Sequence, residues 1–197
     1  MRITAGKFKN KPILSYKDKK GELRPTSSKV RQAVFNLLQH GKFLREVNFI
    51  NEENPSLIQG RIIADIYCGT GIMGFEAASR GATSVLVCEQ DPSLCRSLIS
   101  LRTKLAAHNI QIVQGDAIAQ MSKLAVNSVD VVFLDPPFGS DLFMPALKAA
   151  SRITKPQGFV YLESNRLWTN EELAPFELSV TRQGKAGMVC YHLLQKR

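Results

Sequence analysis

A mostly parallel, doubly wound α/β sheet closed by an antiparallel hairpin is predicted from three observations. From Arg61 onward, short apolar runs alternate with helix-period segments; the first run leads into a glycine-rich turn; and the chain ends in two strand-like segments around a glycine pair. The alternation reads IIADI (62–66), a helix over 72–80, SVLVC (84–88), a helix over 93–107 and IQIVQ (110–114). It continues with a helix over 117–124, VDVVFL (129–134), a helix over 141–152 and GFVYLE (158–163). The helix over 93–107 carries the plainest signals, with Asp91 as N-cap, Pro92 at the first position and Leu94, Leu98, Leu101 and Leu105 repeating along one face. FELSVTRQ and MVCYHLLQ flank Gly184-Lys185-Ala186-Gly187, which predicts a hairpin turning at those four residues.

Ahead of the alternating region, Thr26 is a candidate N-cap for a helix with Val30, Val34, Leu37 and Leu38 on one face, followed by a polar linker over 48–60. Residues 1–45 hold 12 Lys and Arg against 2 acids, residues 46–150 hold 7 against 11, and residues 151–197 hold 7 against 4. The basic balance therefore belongs to the first segment. The expected division is a basic arm and helix over 1–45, with Lys7, Lys9, Lys11, Arg24 and Arg31 as candidate contacts to a polyanion, and a catalytic domain over 46–197. No run approaches the ~20 apolar residues of a membrane span, and the start lacks the apolar core of a signal peptide. The four cysteines fall at irregular spacings without a CxxC, so neither a zinc site nor a disulfide framework is expected, and a reducing cytoplasm is. With no exposed apolar repeat, a monomer is expected.

The first strand runs into Cys68-Gly69-Thr70-Gly71-Ile72-Met73-Gly74, a GxGxxG turn of the kind that brings backbone close to a ligand. Such a turn serves a nicotinamide dinucleotide or S-adenosylmethionine, and Glu89 at the end of the second strand suits the ribose hydroxyls of either. Asp65 tips the choice. A carboxylate beside the glycine turn repels a pyrophosphate but attracts an ammonium and a sulfonium. Asp116, after the third strand, is positioned either to accept the adenine amino group or to cap the next helix.

The fourth strand ends in Asp135-Pro136-Pro137-Phe138. The prolines restrict the backbone, making the Asp135 carboxylate and the Pro136 carbonyl fixed acceptors. Two acceptors suit an exocyclic base amine, whose lone pair is delocalised into the ring until its hydrogens are bound. Phe138 is placed to stack on that base, a contact worth ~1–3 kcal/mol. Cys68, inside the cofactor turn, is a packing residue and not a covalent nucleophile.

With these residues in place, the chain resembles the bacterial RsmD family of 16S ribosomal RNA guanine-N2 methyltransferases. The likeness runs through MRITAGKFKNKPI, LRPTSSKVRQAVFNLL, IADIYCGTGIMGFEAASRGA, FLDPPF and GKAGMVCYHL. It implies a Rossmann-like methyltransferase acting on the small ribosomal subunit; no metal is expected, because in-line displacement at a sulfonium needs placement more than Lewis acidity. It implies cofactor contacts at Asp65, Tyr67, Gly69, Gly71, Glu89 and Asp116, with Asn36 at the cofactor entrance, and a base site at Asp135, Pro136, Pro137 and Phe138. Ser28 and Gln32 stand where the family carries acids, and Tyr67-Cys68 where it carries Phe-Ala, so no role is carried over to Ser28 or Gln32. Rival readings are an adenine-N6 or cytosine-N4 nucleic-acid methylase, a protein-glutamine methylase, a nicotinamide oxidoreductase, and a non-catalytic RNA-binding assembly factor.

Overall fold

The structure is a computed structural model that describes residues 1–13, 28–39 and 56–197, the side chains of 28–30 excepted. The alternation becomes α1 (Ser28–Gln39), β1 (Ile62–Ile66), α2 (Ile72–Ser79), β2 (Ser84–Glu89), α3 (Pro92–Leu105) and β3 (Ile110–Gln114). Then come α4 (Ala117–Ser122), β4 (Val129–Leu134), α5 (Phe143–Ile153), β5 (Thr154–Ser164), α6 (Asn170–Leu173), β6 (Leu178–Ala186) and β7 (Val189–Lys196). The strands form one sheet in the order β3-β2-β1-β4-β5-β7-β6. β1 to β5 are parallel, and β7 and β6 close the edge antiparallel, as the sequence predicts. The order reverses between β1 and β4, and an open sheet of this kind binds ligands in the crevice at that switch point, beyond the carboxyl ends of the strands.

Apolar side chains cover both faces. Ile63, Phe133, Phe159 and Tyr161 pack beneath α1, α2 and α3, while Ala64, Val132, Val160 and Leu162 pack against α4, α5 and α6. The α3 cap is as expected, with Asp91 Oδ1 accepting from the N–H groups of Ser93 at 2.6 Å and Leu94 at 3.1 Å. The helix stops where Ala106 turns left-handed at φ 49°. In α1, Val34 and Leu38 are buried and Leu37 is half-buried; Thr26 and the Val30 side chain lie outside the described residues.

Two expectations change, and one further element was not expected. The hairpin turn is Gly187-Met188, not the four residues from Gly184, because β6 stays paired through Ala186 opposite Val189 and Gly187 alone supplies the positive φ of 65°. Residues 170–176 form α6 and a single 3₁₀ turn, opened by a capping box in which Thr169 and Glu172 exchange hydrogen bonds. The described part of the basic arm is no separate arm. Ile3, Phe8 and Ile13 are buried in the same core as α2 and Phe133, so the boundary expected at residue 45 does not divide the core.

Residues 1–13 fold back on themselves through an Arg2–Pro12 bridge and dock on α2. The Lys7 N–H donates to the Ser79 carbonyl at 2.8 Å, and the Phe8 N–H to Ser79 Oγ at 2.8 Å. Gly6, at φ +79°, sits so close that a Cβ there would lie 1.8 Å from the Ser79 carbonyl oxygen. Midway along α2, the buried Glu76 carboxylate accepts from the Thr4 N–H at 2.9 Å, the Ala5 N–H at 3.2 Å and Thr4 Oγ1 at 2.5 Å, and pairs with Arg80 at 2.9 Å.

Candidate active site

The glycine turn is built by left-handed backbone. Tyr67, Gly69 and Gly71 have φ of 60°, 54° and 71°, which swing the chain from β1 into α2. Asp65, buried on β1, holds the other side of that turn, its Oδ2 accepting from the Gly74 N–H at 2.7 Å. Gly74 has no room for a side chain: a Cβ would meet Val87 at 2.7 Å and Asp65 Oδ2 at 3.0 Å. Glu89, at the end of β2, accepts from the N–H groups of Gly69 at 2.9 Å, Gln90 at 2.8 Å and Asp91 at 2.9 Å. This ties the second strand's acid to the loop in one fixed orientation.

Register brings the base-site tetrapeptide beside this loop. Asp65 is level with Phe133 on β4, and Leu134 is level with Leu162 on β5, so Asp135 emerges next to Glu163. Period-two alternation puts Asp65, Asp135 and Glu163 on one face. Glu163 is buried and accepts from the Tyr161 hydroxyl at 2.9 Å. Burial pushes the Asp65 carboxyl up to about 8 against the lowering pull of the Gly74 N–H, with Glu89 and Glu163 adding to the rise. Burial likewise pushes Asp135 up to about 8, helped by Glu163 and then Asp65. Pro136 is buried, Pro137 is exposed, and Phe138 is 44% exposed just beyond the end of β4.

The remaining predicted residues fall as follows. Tyr67 lies in the loop with its hydroxyl buried and without a hydrogen-bond partner among the described residues. Asp116 is exposed and caps α4, its Oδ1 accepting from the Ala119 N–H at 2.8 Å. Asn36 is exposed on α1, while Phe35 beside it is core, 5.6 Å from Phe133 between ring centroids. Among the described residues the Cys68 thiol hydrogen-bonds to the neighbouring Gly69 carbonyl, and burial raises it well above the ordinary value, which suits packing and not nucleophilic attack.

Arg31 is a correction. Expected to touch a phosphate, it is 1% exposed, with its guanidinium 3.5 Å from Glu76 and donating to the Arg2 carbonyl at 2.9 Å. It secures the amino-terminal hairpin from inside. Lys7, Lys9 and Lys11 are exposed on that hairpin, which is anchored at Ser79, the end of α2 away from the glycine turn. Arg24 lies outside the described residues. Glu163 was missed, although it ends its strand in an acid just as the strands of Asp65, Glu89 and Asp135 do.

The family model described as conserved hypothetical protein 95 matches residues 1–195. "Ribosomal RNA small subunit methyltransferase D" from Escherichia coli K12 is 27% identical, covering 100% of this chain and 90% of its own. The protein of the same name from Haemophilus influenzae is 28% identical, over 99% and 93%. Among solved structures, yhhF from Escherichia coli superposes with a TM-score of 0.76 at 26% identity, covering 100% of this chain and 98% of its own. A Rossmann-like sheet with an acid-lined glycine turn beside Asp-Pro-Pro-Phe, in such company, defines a methyltransferase. The chain belongs to the RsmD family.

Proposed function

We propose that this protein moves a methyl group from S-adenosylmethionine to the exocyclic N2 amine of one guanine in the 16S ribosomal RNA of the small subunit. The observation that carries the reading is the placement of Asp135-Pro136 at the switch point, on the face of the sheet that Asp65 shares. Its support from relatives is the RNA named in their descriptions.

The residues suit a cationic methyl donor. Asp65, Glu89, Asp135 and Glu163 gather at the carboxyl ends of four neighbouring strands, a field that favours an ammonium and a sulfonium and opposes a pyrophosphate. The unpartnered Tyr67 hydroxyl, at the glycine turn, offers a buried polar atom for the donor to satisfy. Asp65 and the turn would hold its amino acid portion, Glu89 its ribose, and Asn36 its entrance. When bound, the donor supplies an electrophilic methyl on sulfur, and the C–S bond electrons leave with the sulfur as the N–C bond forms. Asp135 and the Pro136 carbonyl accept the two amine hydrogens, which localises the lone pair toward the methyl. Phe138 stacks on the base and offsets part of the unstacking cost of a few kcal/mol. Beside a bound cationic donor Asp135 is favoured as the carboxylate, and once that positive charge is spent the buried, acid-lined site again favours its protonated form, so an Asp135 oxygen takes the proton that the methylated amine sheds. Exposed Lys7, Lys9 and Lys11 would take RNA phosphates from the far end of α2.

The test is transfer of labelled methyl from S-adenosylmethionine to small subunits, or their naked RNA, lacking the modification, followed by nucleoside analysis. N2-methylguanosine is expected. Label on another nucleoside, on DNA or on protein alone would overturn the substrate, and no transfer to any of them would overturn the reaction.

A further inference from the structure

The hairpin of β6 and β7 reaches the same edge of the sheet as Asp135. Cys190, near its tip, is level with Ser164 at the end of β5, and Lys185 is level with Cys190. Between this hairpin and α1 lies a cavity of about 450 Å³. Val34 and Leu37 of α1 form one wall, Tyr161 and Tyr191 line the sheet side, and Arg182 and Lys185 line the hairpin side. Among the described residues, no acid lines it. Both Arg182 and Lys185 are exposed.

The cavity is built, not left over. Tyr191 lies across Gly184, the residue opposite it on β6, and a Cβ on Gly184 would meet the Tyr191 hydroxyl at 2.4 Å. Glycine at 184 is therefore what lets the ring occupy that position; its φ is not among the positive ones, so close approach and not turn geometry accounts for it. The cavity also connects to chemistry. Tyr161 lines it and donates its hydroxyl to Glu163, whose charge in turn raises Asp135. One side chain and one hydrogen bond separate the cavity from the carboxylates of the base site.

Resting on the reading above, we propose that this cavity holds a nucleotide of the substrate RNA flanking the target guanine, its base against Tyr191 and the apolar wall of α1 and its phosphate at Arg182 and Lys185. An aromatic floor with a cationic rim is the composition that takes a splayed base and its backbone, since stacking is tolerant of sequence while cations follow the phosphates. The volume admits a single nucleotide, not a duplex. Extruding the target guanine also frees its neighbours from stacking, and a second slot recovers part of that loss.

The experiment is a cycle between protein and RNA. Tyr191→Ala and Arg182→Gln are assayed on the RNA that the wild type methylates, intact or with an abasic nucleotide on either side of the target. Each variant is expected to raise KM for intact RNA roughly 10-fold or more, with kcat and donor affinity within about twofold of wild type. An abasic neighbour on one side should cost the wild type a similar factor and cost Tyr191→Ala almost nothing further. Arg182→Gln, at an exposed position, keeps the test open if Tyr191→Ala does not fold. An unchanged KM in Arg182→Gln, or an abasic penalty equal in wild type and Tyr191→Ala, overturns the proposal. If the wild type makes no N2-methylguanosine, the proposed reaction falls, and the same cycle run on RNA dissociation constants still decides the cavity.

Discussion

Glu76 and Asp135 are both carboxylates withdrawn from water, 59 residues apart in the sequence, and the molecule treats them in opposite ways. Glu76 is wholly buried and surrounded: Thr4, Ala5, Arg31 and Arg80 all turn donors toward it, and the Arg80 guanidinium also lies 4.8 Å over the Phe35 ring. Among the described residues, the charges that act on Asp135 are other acids, with Glu163 first and Asp65 second, and it is pushed up to about 8. A carboxylate that belongs to the fold is given its counter-charges by the chain. One kept for a ligand is left short of them, so an incoming amine or cation gains what the protein withheld.

The comparison breaks most sharply at Asp135 itself. Asp135→Ala should lower methyl transfer by about 10³-fold or more while donor affinity, read by calorimetry, stays within a few-fold, because the proposed donor contacts are Asp65, Glu89 and the glycine turn. Transfer at near the wild-type rate would remove Asp135 from the site. Glu76→Gln addresses the opposite region. It leaves Arg31 and Arg80 buried without their counter-charge, a loss of about 3–5 kcal/mol, and the melting temperature should fall by about 10 °C. A fall of less than about 3 °C would mean that the network is not what docks the hairpin.

A smaller effect is expected of Gly6→Ala, whose Cβ has no space against the Ser79 carbonyl and whose φ of +79° disfavours any side chain. It should cost about 1–3 kcal/mol and weaken RNA binding without changing donor affinity, because it loosens only the amino-terminal hairpin. Equal losses of RNA and donor binding would tie the hairpin to the donor site instead.

The mildest test is of pH. Folding raises Asp65 and Asp135 from the ordinary 3.8 to about 8, so between these values the folded chain holds protons that the unfolded chain has released. The contribution of these two groups to stability therefore falls as pH climbs from about 4 to about 8 and levels off above it. Asp135→Asn takes one member out of this balance. Its melting temperature without donor should exceed that of the wild type by about 2–4 °C at pH 8.5, corresponding to ~1 kcal/mol, and match it near pH 4. Melting curves that coincide at both pH values would show that Asp135 is not held in a low-dielectric site.

Much of the parallel sheet was legible because its signals are local. Period-two runs, the Asp91-Pro92 helix start and the glycine turn each act within a few residues, and so the strands over 62–66, 110–114 and 129–134 fall where expected. The capping box at Thr169 and Glu172 was equally local but went unread, hidden in a segment with no apolar period of its own. The hairpin turn was misjudged because one glycine in its sequence serves the turn, Gly187, while another, Gly184, serves the packing of Tyr191. The likeness of GKAGMVCYHL to its family marks the segment but does not tell these two roles apart.

What the amino-acid sequence determined by itself is the order of elements and the acids that end β1, β2, β4 and β5, because strand period and turn chemistry are set by neighbours along the chain. What only the tertiary structure decided is which charges face one another. Arg31 sits on a helix in the most basic part of the chain, yet its partner, Glu76, is 45 residues away, so burial converts an expected phosphate ligand into a structural cation. Glu163 acquires its place beside Asp135 only when β5 pairs with β4 in a particular register. Coulomb energy depends on distance and on the surrounding dielectric, and both are set only once the sheet has assembled.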